Sequence, residues 1–101
     1  MRLTDFQKNR IVEIIHRDFG RDAEIYLFGS RTDDFKKGGD IDLLVTSEGS
    51  PEEVESRRIK SITGIQFAIG DQKIDLVVTD NPDTDSRPVV KEALKKGVRI
   101  G

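Results

Sequence analysis

The sequence predicts a small α/β (α+β) protein in which helices pack on a mixed, three-stranded sheet. Apolar residues recur at helical spacing near the start of the chain, and three short runs rich in aliphatic and β-branched residues follow. Gly, Ser, Pro and Asp mark the boundaries between these segments. Since 101 residues can bury one modest core, we expect a single domain over residues 1–101.

The first half of the chain predicts a helix followed by a buried strand. Thr4 and Gln7 have the form of a capping box, and the apolar spacing that follows predicts a helix over residues 4–19. The run 25–28 is short, apolar and β-rich, so it predicts a strand that enters a tight turn. Residues 31–39 are polar and predict a loop.

The second half predicts two strands and two helices in alternation. Residues 40–46 form the second predicted strand, and Ser50 with Glu53 predicts the start of a helix in a second capping box. A third strand is predicted over 73–79 and a last helix over 86–96. The order is helix, strand, a polar segment that forms a helix or a loop, strand, helix, strand, helix.

Composition excludes several classes of function. The chain has 17 basic and 19 acidic residues and a net charge of −2, which provides neither the basic stripe of a sequence-independent DNA-binding protein nor an acidic tail, so a nucleic-acid partner is not expected. It has no cysteine, so disulfides, thiol catalysis and Cys-based zinc sites are excluded. No apolar run approaches the length of about 20 residues that spans a membrane, and the N-terminus does not resemble a signal peptide. We therefore expect a soluble, cytoplasmic protein without a membrane partner.

The stretch GDIDLLV places two carboxylates in a predicted strand. Asp40 and Asp42 are two residues apart, so they project from one face with Cα atoms about 7 Å apart. GDIDLLVTS and QKIDLVVTD share a pattern, and Asp75 would join the pair if these strands lay side by side. Three such carboxylates suit Mg²⁺. Alternatively, Asp40 simply follows a glycine turn, Asp42 faces solvent and Asp75 pairs with a lysine.

A Gly-Ser turn follows the first predicted strand. At Gly29 no side chain obstructs the approach of a phosphate to the backbone N–H groups, and the Ser30 hydroxyl adds a donor. Gly-Ser pairs also occur in ordinary turns. The pair alone therefore does not distinguish a phosphate site from a simple turn.

The combined motif FGSRTDDFKKGGDIDL followed by KIDLVV resembles the nucleotidyltransferase superfamily that includes DNA polymerase beta. Within it, the chain is most similar to the minimal nucleotidyltransferases (MNT), and the resemblance extends to the terminal EALKKGVRI. It implies the nucleotidyltransferase fold and two Mg²⁺ ions held by Asp40, Asp42 and Asp75, which are also the catalytic residues. It also implies ATP as the nucleotide donor.

The same resemblance implies the remaining nucleotide contacts and a partner. Gly29 and Ser30 would hold the β- and γ-phosphates, and Arg31 would add positive charge there. Minimal members often act as antitoxins of HEPN-domain toxins, and only about twenty residues follow the third strand. We therefore expect a protein adenylyltransferase that moves AMP to a hydroxyl of a HEPN toxin, in a homo- or hetero-oligomer. Alternatives are a non-catalytic antitoxin that masks its partner, and transfer to a small-molecule or nucleic-acid acceptor.

Overall fold

The computed structural model describes residues 3–28, 41–70 and 72–101. The elements in chain order are α1 (Asp5–Phe19), β1 (Ile25–Phe28), β2 (Ile41–Thr46), α2 (Pro51–Ile69), β3 (Ile74–Thr79), α3 (Pro88–Lys96) and β4 (Val98–Arg99). None of the helices in these ranges is long and apolar enough to cross a membrane.

The strands form one sheet with the order β3-β2-β1-β4. β1 runs antiparallel to both β2 and β4, whereas β2 and β3 are parallel and are connected through α2. The prediction of three strands was wrong, because β4 adds a fourth. β4 contains only Val98 and Arg99, both exposed, so it carries no apolar alternation to indicate a strand. It forms because the chain after α3 returns alongside β1, where Arg99 pairs with Tyr26.

Both predicted capping boxes are present. The Thr4 hydroxyl accepts from the Gln7 backbone N–H, and the Gln7 side chain accepts from the Thr4 N–H. Ser50 and Glu53 make the same reciprocal pair at the start of α2. Each box satisfies N–H groups that have no partner within the helix, so the helix starts are specified locally.

Alternation along the strands divides the core between the two faces of the sheet. Ile41, Leu43 and Val45 are fully buried in the cluster that includes residues of α1 and α2. Leu44 lies on the opposite face, in a smaller cluster with Val90 of α3. The sheet is therefore covered by α1 and α2 on one face and by α3 on the other.

Gly64 allows α1 and α2 to approach closely. It lies in the middle of α2, where glycine is usually unfavourable by about 1 kcal/mol relative to alanine. A Cβ atom at this position would lie 3.2 Å from Nη2 of Arg17 and 3.3 Å from Cγ2 of Ile14. The packing of α2 against α1 therefore leaves little room for a side chain at this position.

A polar contact also joins the two helices. The Ser61 hydroxyl, which is fully buried, donates to Oδ2 of Asp18 at 2.7 Å, and Nε of Arg17 donates to Oδ1 at 2.9 Å. The Asp18 side chain is only 1% exposed. Burial alone would raise the pKa of Asp18, but the hydrogen bonds from Arg17 and Ser61 and the charges of Arg17 and Lys60 hold that pKa below its ordinary value.

We expect Gly64→Leu to lower the free energy of unfolding by about 1–3 kcal/mol, because the new side chain collides with Ile14 and Arg17. Urea denaturation measures the change. Thr63→Leu is the matched control, since Thr63 is exposed on the same helix and also gains helix propensity, although less than a glycine does. Equal stability of the two variants would contradict the close approach.

We expect Asp18→Asn to lower the free energy of unfolding by about 1–3 kcal/mol at pH 7, with a smaller loss at low pH. The pKa of Asp18 is depressed in the folded chain, so its contribution is present above the unfolded value of about 4 and is lost as the pH falls through the folded pKa. Thermal unfolding from pH 2 to 7 measures this. The exposed Asp22→Asn variant is the control and should retain the acid dependence of the wild type.

Candidate active site

The structure brings two of the three predicted carboxylates together. Asp42 and Asp75 are register partners on the parallel strands β2 and β3, so the condition under which Asp75 would join the pair, that the two similar strands lie side by side, is met for Asp42. Register partners on adjacent strands lie about 4.8 Å apart and project from the same face. Asp42 is half-buried and Asp75 is exposed. A cation or a substrate can therefore approach both side chains from one side of the sheet.

The packing of the sheet explains why these aspartates are not in the core. Ile41 and Leu43, on either side of Asp42, are fully buried on the face covered by α1 and α2. Alternation therefore directs Asp42 to the other face, where Leu44, two residues further on, packs with the α3 cluster. Asp42 and Asp75 therefore lie near the N-terminal ends of β2 and β3. They lie on the same face of the sheet as α3, which packs on later residues of that face such as Leu44.

The remaining predicted site residues cannot be placed. Asp40, Gly29, Ser30 and Arg31 all lie outside the described residues. The described part of β1 ends at Phe28, the register partner of Asp42. The structure therefore shows that Asp42 lies beside Asp75. The roles assigned to all six residues stay predictions from the sequence.

Arg58 on α2 is a charged neighbour of the site that the sequence did not indicate. Its guanidinium donates to Glu55 in three hydrogen bonds, the shortest of 2.7 Å from Nη2 to Oε1. These bonds raise the pKa of Arg58 above its ordinary value, burial opposes the rise, and the charges of Glu55 and Asp75 add to it. In the sequence, Glu55 and Arg58 are three residues apart and indicate only an ion pair on the surface of a helix. The sequence therefore did not predict that Arg58 interacts with the charge of Asp75.

The donor set of the pair suits a hard divalent cation. Carboxylate oxygens are the ligands that Mg²⁺ prefers, and Mg²⁺ commonly takes only one or two from the protein. Within residues 3–28, 41–70 and 72–101, no cluster of three or more His, Asp or Glu side chains could hold a metal ion. Asp42 and Asp75 therefore fit as ligands of Mg²⁺, and the third predicted ligand, Asp40, lies outside these ranges.

A cleft lies at the opposite end of the strands from Asp42 and Asp75. This open cleft of about 600 Å³ is lined by residues from the ends of α1 and β2 and by Arg57 and Asp80. Its most buried acid is Asp18, which already accepts from Ser61 and Arg17. None of its lining residues is one of the predicted site residues.

Comparison with known proteins assigns the family. Residues 8–100 match the model of a nucleotidyltransferase domain, so the match includes Asp42, Asp75 and nearly the whole chain. No curated protein matches the chain significantly. The mixed α+β architecture, with three helices and a four-stranded sheet in the described residues, is consistent with the nucleotidyltransferase fold. The chain belongs to the nucleotidyltransferase domain family.

Proposed function

We propose that this protein is a Mg²⁺-dependent adenylyltransferase that moves AMP from ATP to a hydroxyl of a partner protein. Membership of the nucleotidyltransferase domain family supports nucleotidyl transfer in general. The observation that carries the proposal is the register pairing of Asp42 with Asp75, because it places two oxygen donors side by side at an accessible edge of the sheet.

The proposed transfer exchanges one P–O bond for another. The oxygen of the acceptor hydroxyl attacks the α-phosphorus of ATP, the bond from that phosphorus to the bridging oxygen breaks, and pyrophosphate leaves. The hydroxyl proton passes to the Asp75 carboxylate, which is exposed and can accept it. When bound, Mg²⁺ supplies positive charge that offsets the charge of the phosphates. Asp40, Asp42 and Asp75 are the proposed ligands.

The proposed nucleotide contacts rest on the sequence motif. Gly29 and Ser30 would bind the β- and γ-phosphates through backbone N–H groups and a hydroxyl, and Arg31 would add a charged donor. Such contacts hold the α-phosphorus in line with the attacking oxygen, which lowers the entropic part of the barrier.

The proposed acceptor is a HEPN-domain toxin, whose modification would make this protein its antitoxin. Support comes from the resemblance of the motifs FGSR, GDIDLLV and KIDLVV to those of minimal nucleotidyltransferases. The accessible position of Asp75 suits an acceptor as large as a protein, since a side chain can reach it from solvent.

A label-transfer experiment tests the activity. We expect the product of the neighbouring gene to become labelled when it is incubated with this protein, Mg²⁺ and ATP labelled at the α-phosphate. ATP labelled at the γ-phosphate should transfer nothing, because that label leaves with pyrophosphate, and removal of Mg²⁺ with EDTA should stop the reaction.

The carboxylate variants provide the matched comparison. Asp42→Asn and Asp75→Asn should each lower the rate of label transfer by at least about 100-fold, because each removes a charge that acts at the reacting atoms. Asp22→Asn removes an exposed carboxylate outside the site and should react like the wild type. Equal rates for all three variants would refute the assignment. Label on a small molecule or a nucleic acid instead of the protein would refute the protein acceptor.

Exposed apolar side chains favour a second candidate, an antitoxin that acts by binding alone. Phe6 on α1 is 64% exposed and Phe67 on α2 is 89% exposed, and each offers an aromatic side chain for contact with a partner. Such contacts could mask a partner without any chemistry at Asp42.

Protection in cells separates the two candidates. If adenylylation is the mechanism, the double variant Asp40→Asn/Asp42→Asn should lose protection against the toxin although it remains folded by circular dichroism. Survival equal to that with the wild type would favour masking. The replacement of Phe67 by Ser is the complementary variant, and masking predicts that it loses protection while label transfer to a free hydroxyl compound is unchanged.

A further inference from the structure

We infer that the outer edge of β3 is a docking site for an extended segment of the acceptor protein, and that it places one acceptor side chain directly opposite Asp75. The inference rests on the proposed function, because it concerns how a protein hydroxyl reaches that site. The observation behind it is that the N–H and C=O groups on one side of β3 face away from the sheet.

Hydrogen bonds between β2 and β3 determine which backbone groups face outward. The Ile41 N–H donates to the Lys73 carbonyl and the Ser47 N–H donates to the Thr79 carbonyl, both at 2.9 Å. In a parallel ladder, alternate residues bond to the neighbouring strand, so the odd-numbered residues of β3 face β2. Since β3 is an edge strand, its even-numbered residues direct their N–H and C=O groups away from the sheet.

Two side chains cap this edge above and below Asp75. Nη2 of Arg87 donates to the Val78 carbonyl at 2.7 Å, and Nε2 of Gln66 donates to the Gln72 carbonyl at 3.0 Å. Arg87 is itself held by Asp85 at 2.8 Å. Because these carbonyls already accept a hydrogen bond, they are not available to an unrelated strand that meets this edge of the sheet.

The part of the edge between the caps is left open. Among the described residues, no hydrogen-bond partner is found for the outward backbone groups of Ile74 and Leu76. The side chains of Ile74 and Leu76 are buried, 6% and 3% exposed, so these two residues can bind a partner only through their backbone groups. We call Ile74–Leu76 the open edge. Its central residue, Asp75, is exposed.

An extended chain is the occupant that fits the open edge. The outward groups of Ile74 and Leu76 repeat at the spacing of a strand, so an antiparallel segment can bond to both. A helix cannot, because its own backbone groups are already bonded to one another. The residue of the segment opposite Asp75 then forms a non-hydrogen-bonded pair, with its Cα about 4.5 Å from that of Asp75.

The register of this added strand determines where the acceptor hydroxyl lies. Directly opposite residues project from the same face of a sheet, so the side chain opposite Asp75 shares the face of Asp75 and its register partner Asp42. The hydrogen bonds to the Gln72 and Val78 carbonyls limit the pairing to Ile74–Leu76, so Asp75 is the residue of β3 that faces the middle of the segment. The acceptor is therefore a Tyr, Ser or Thr in an extended loop or edge strand of the partner.

Amide hydrogen exchange, measured by NMR, tests the docking without ATP or Mg²⁺. The probe is the blocked pentapeptide acetyl-Thr-Val-Tyr-Val-Thr-amide at millimolar concentration. We expect exchange at the Ile74 and Leu76 amides to be fast in the free protein and to slow by at least about fivefold with peptide. The Val77 amide, which faces β2, is the internal reference and should not change.

N-methylated peptides provide the matched controls. Methylation of both valine nitrogens removes the donors to the Ile74 and Leu76 carbonyls and places methyl groups against β3. The peptide can then no longer approach the edge, so protection of the Ile74 and Leu76 amides should be lost. Methylation of the tyrosine nitrogen changes a group that faces away from β3, so protection should remain. Unchanged exchange with the unmodified peptide, or equal protection by all three peptides, would overturn the inference. Protection that rises with protein concentration alone would also overturn it, since the edge would then pair with a second copy.

A pair of protein variants tests the same edge during catalysis. Ile74→Pro removes one outward N–H, which a proline at the start of an edge strand tolerates, whereas Ile74→Ala has a similar packing loss but retains that N–H. With a protein acceptor, Ile74→Pro should raise the KM for that acceptor at least about tenfold relative to Ile74→Ala, at equal kcat.

Label transfer at equal KM in both variants would refute edge docking and leave the adenylyltransferase proposal intact. Absence of transfer even with the wild type would refute that proposal, while the exchange experiment still tests the edge.

Discussion

The parallel pairing of β2 with β3 is the constraint on which the rest of the structure depends. Six successive residue pairs, from Ile41 with Ile74 to Thr46 with Thr79, hold the register. A slip of one residue would turn Asp42 towards the core and Leu43 towards solvent. The burial of Ile41 and Leu43 therefore stabilises the same register that sets Asp42 beside Asp75. The candidate site is a consequence of core packing on the opposite face of the sheet.

The crossover through α2 makes this pairing possible, since parallel strands need a long connection. The close approach at Gly64 and the buried contact between Ser61 and Asp18 fix α2 against α1. α2 also contributes Arg58, whose pKa the charge of Asp75 helps to raise, and Gln66, which donates to the Gln72 carbonyl at the edge of β3. Residues of one helix thus contribute to the stability of the fold, to the charge near the site and to the edge of β3.

Much of the fold could be predicted because its signals are local. Each signal depends on a few adjacent residues: the capping boxes at Thr4 and Ser50, and the apolar residues of β1, β2 and β3. β4 could not be predicted, because two exposed residues carry no periodic pattern and pair only when α3 returns the chain to β1. The proximity of Arg58 to Asp75 and the caps made by Gln66 and Arg87 depend on packing between elements distant in the chain.

Which side chains share a face follows from the sequence alone. Alternation is a property of one strand, so Asp42 must lie opposite to Ile41 and Leu43, and Asp75 opposite to Ile74 and Leu76. The register pairing of Asp42 with Asp75 and the edge position of β3, where Asp75 is exposed between two carbonyls that accept side-chain hydrogen bonds, arise from the folded chain. The physical reason is that strand pairing is non-local: it depends on the helix crossover and on the burial of both apolar faces at once.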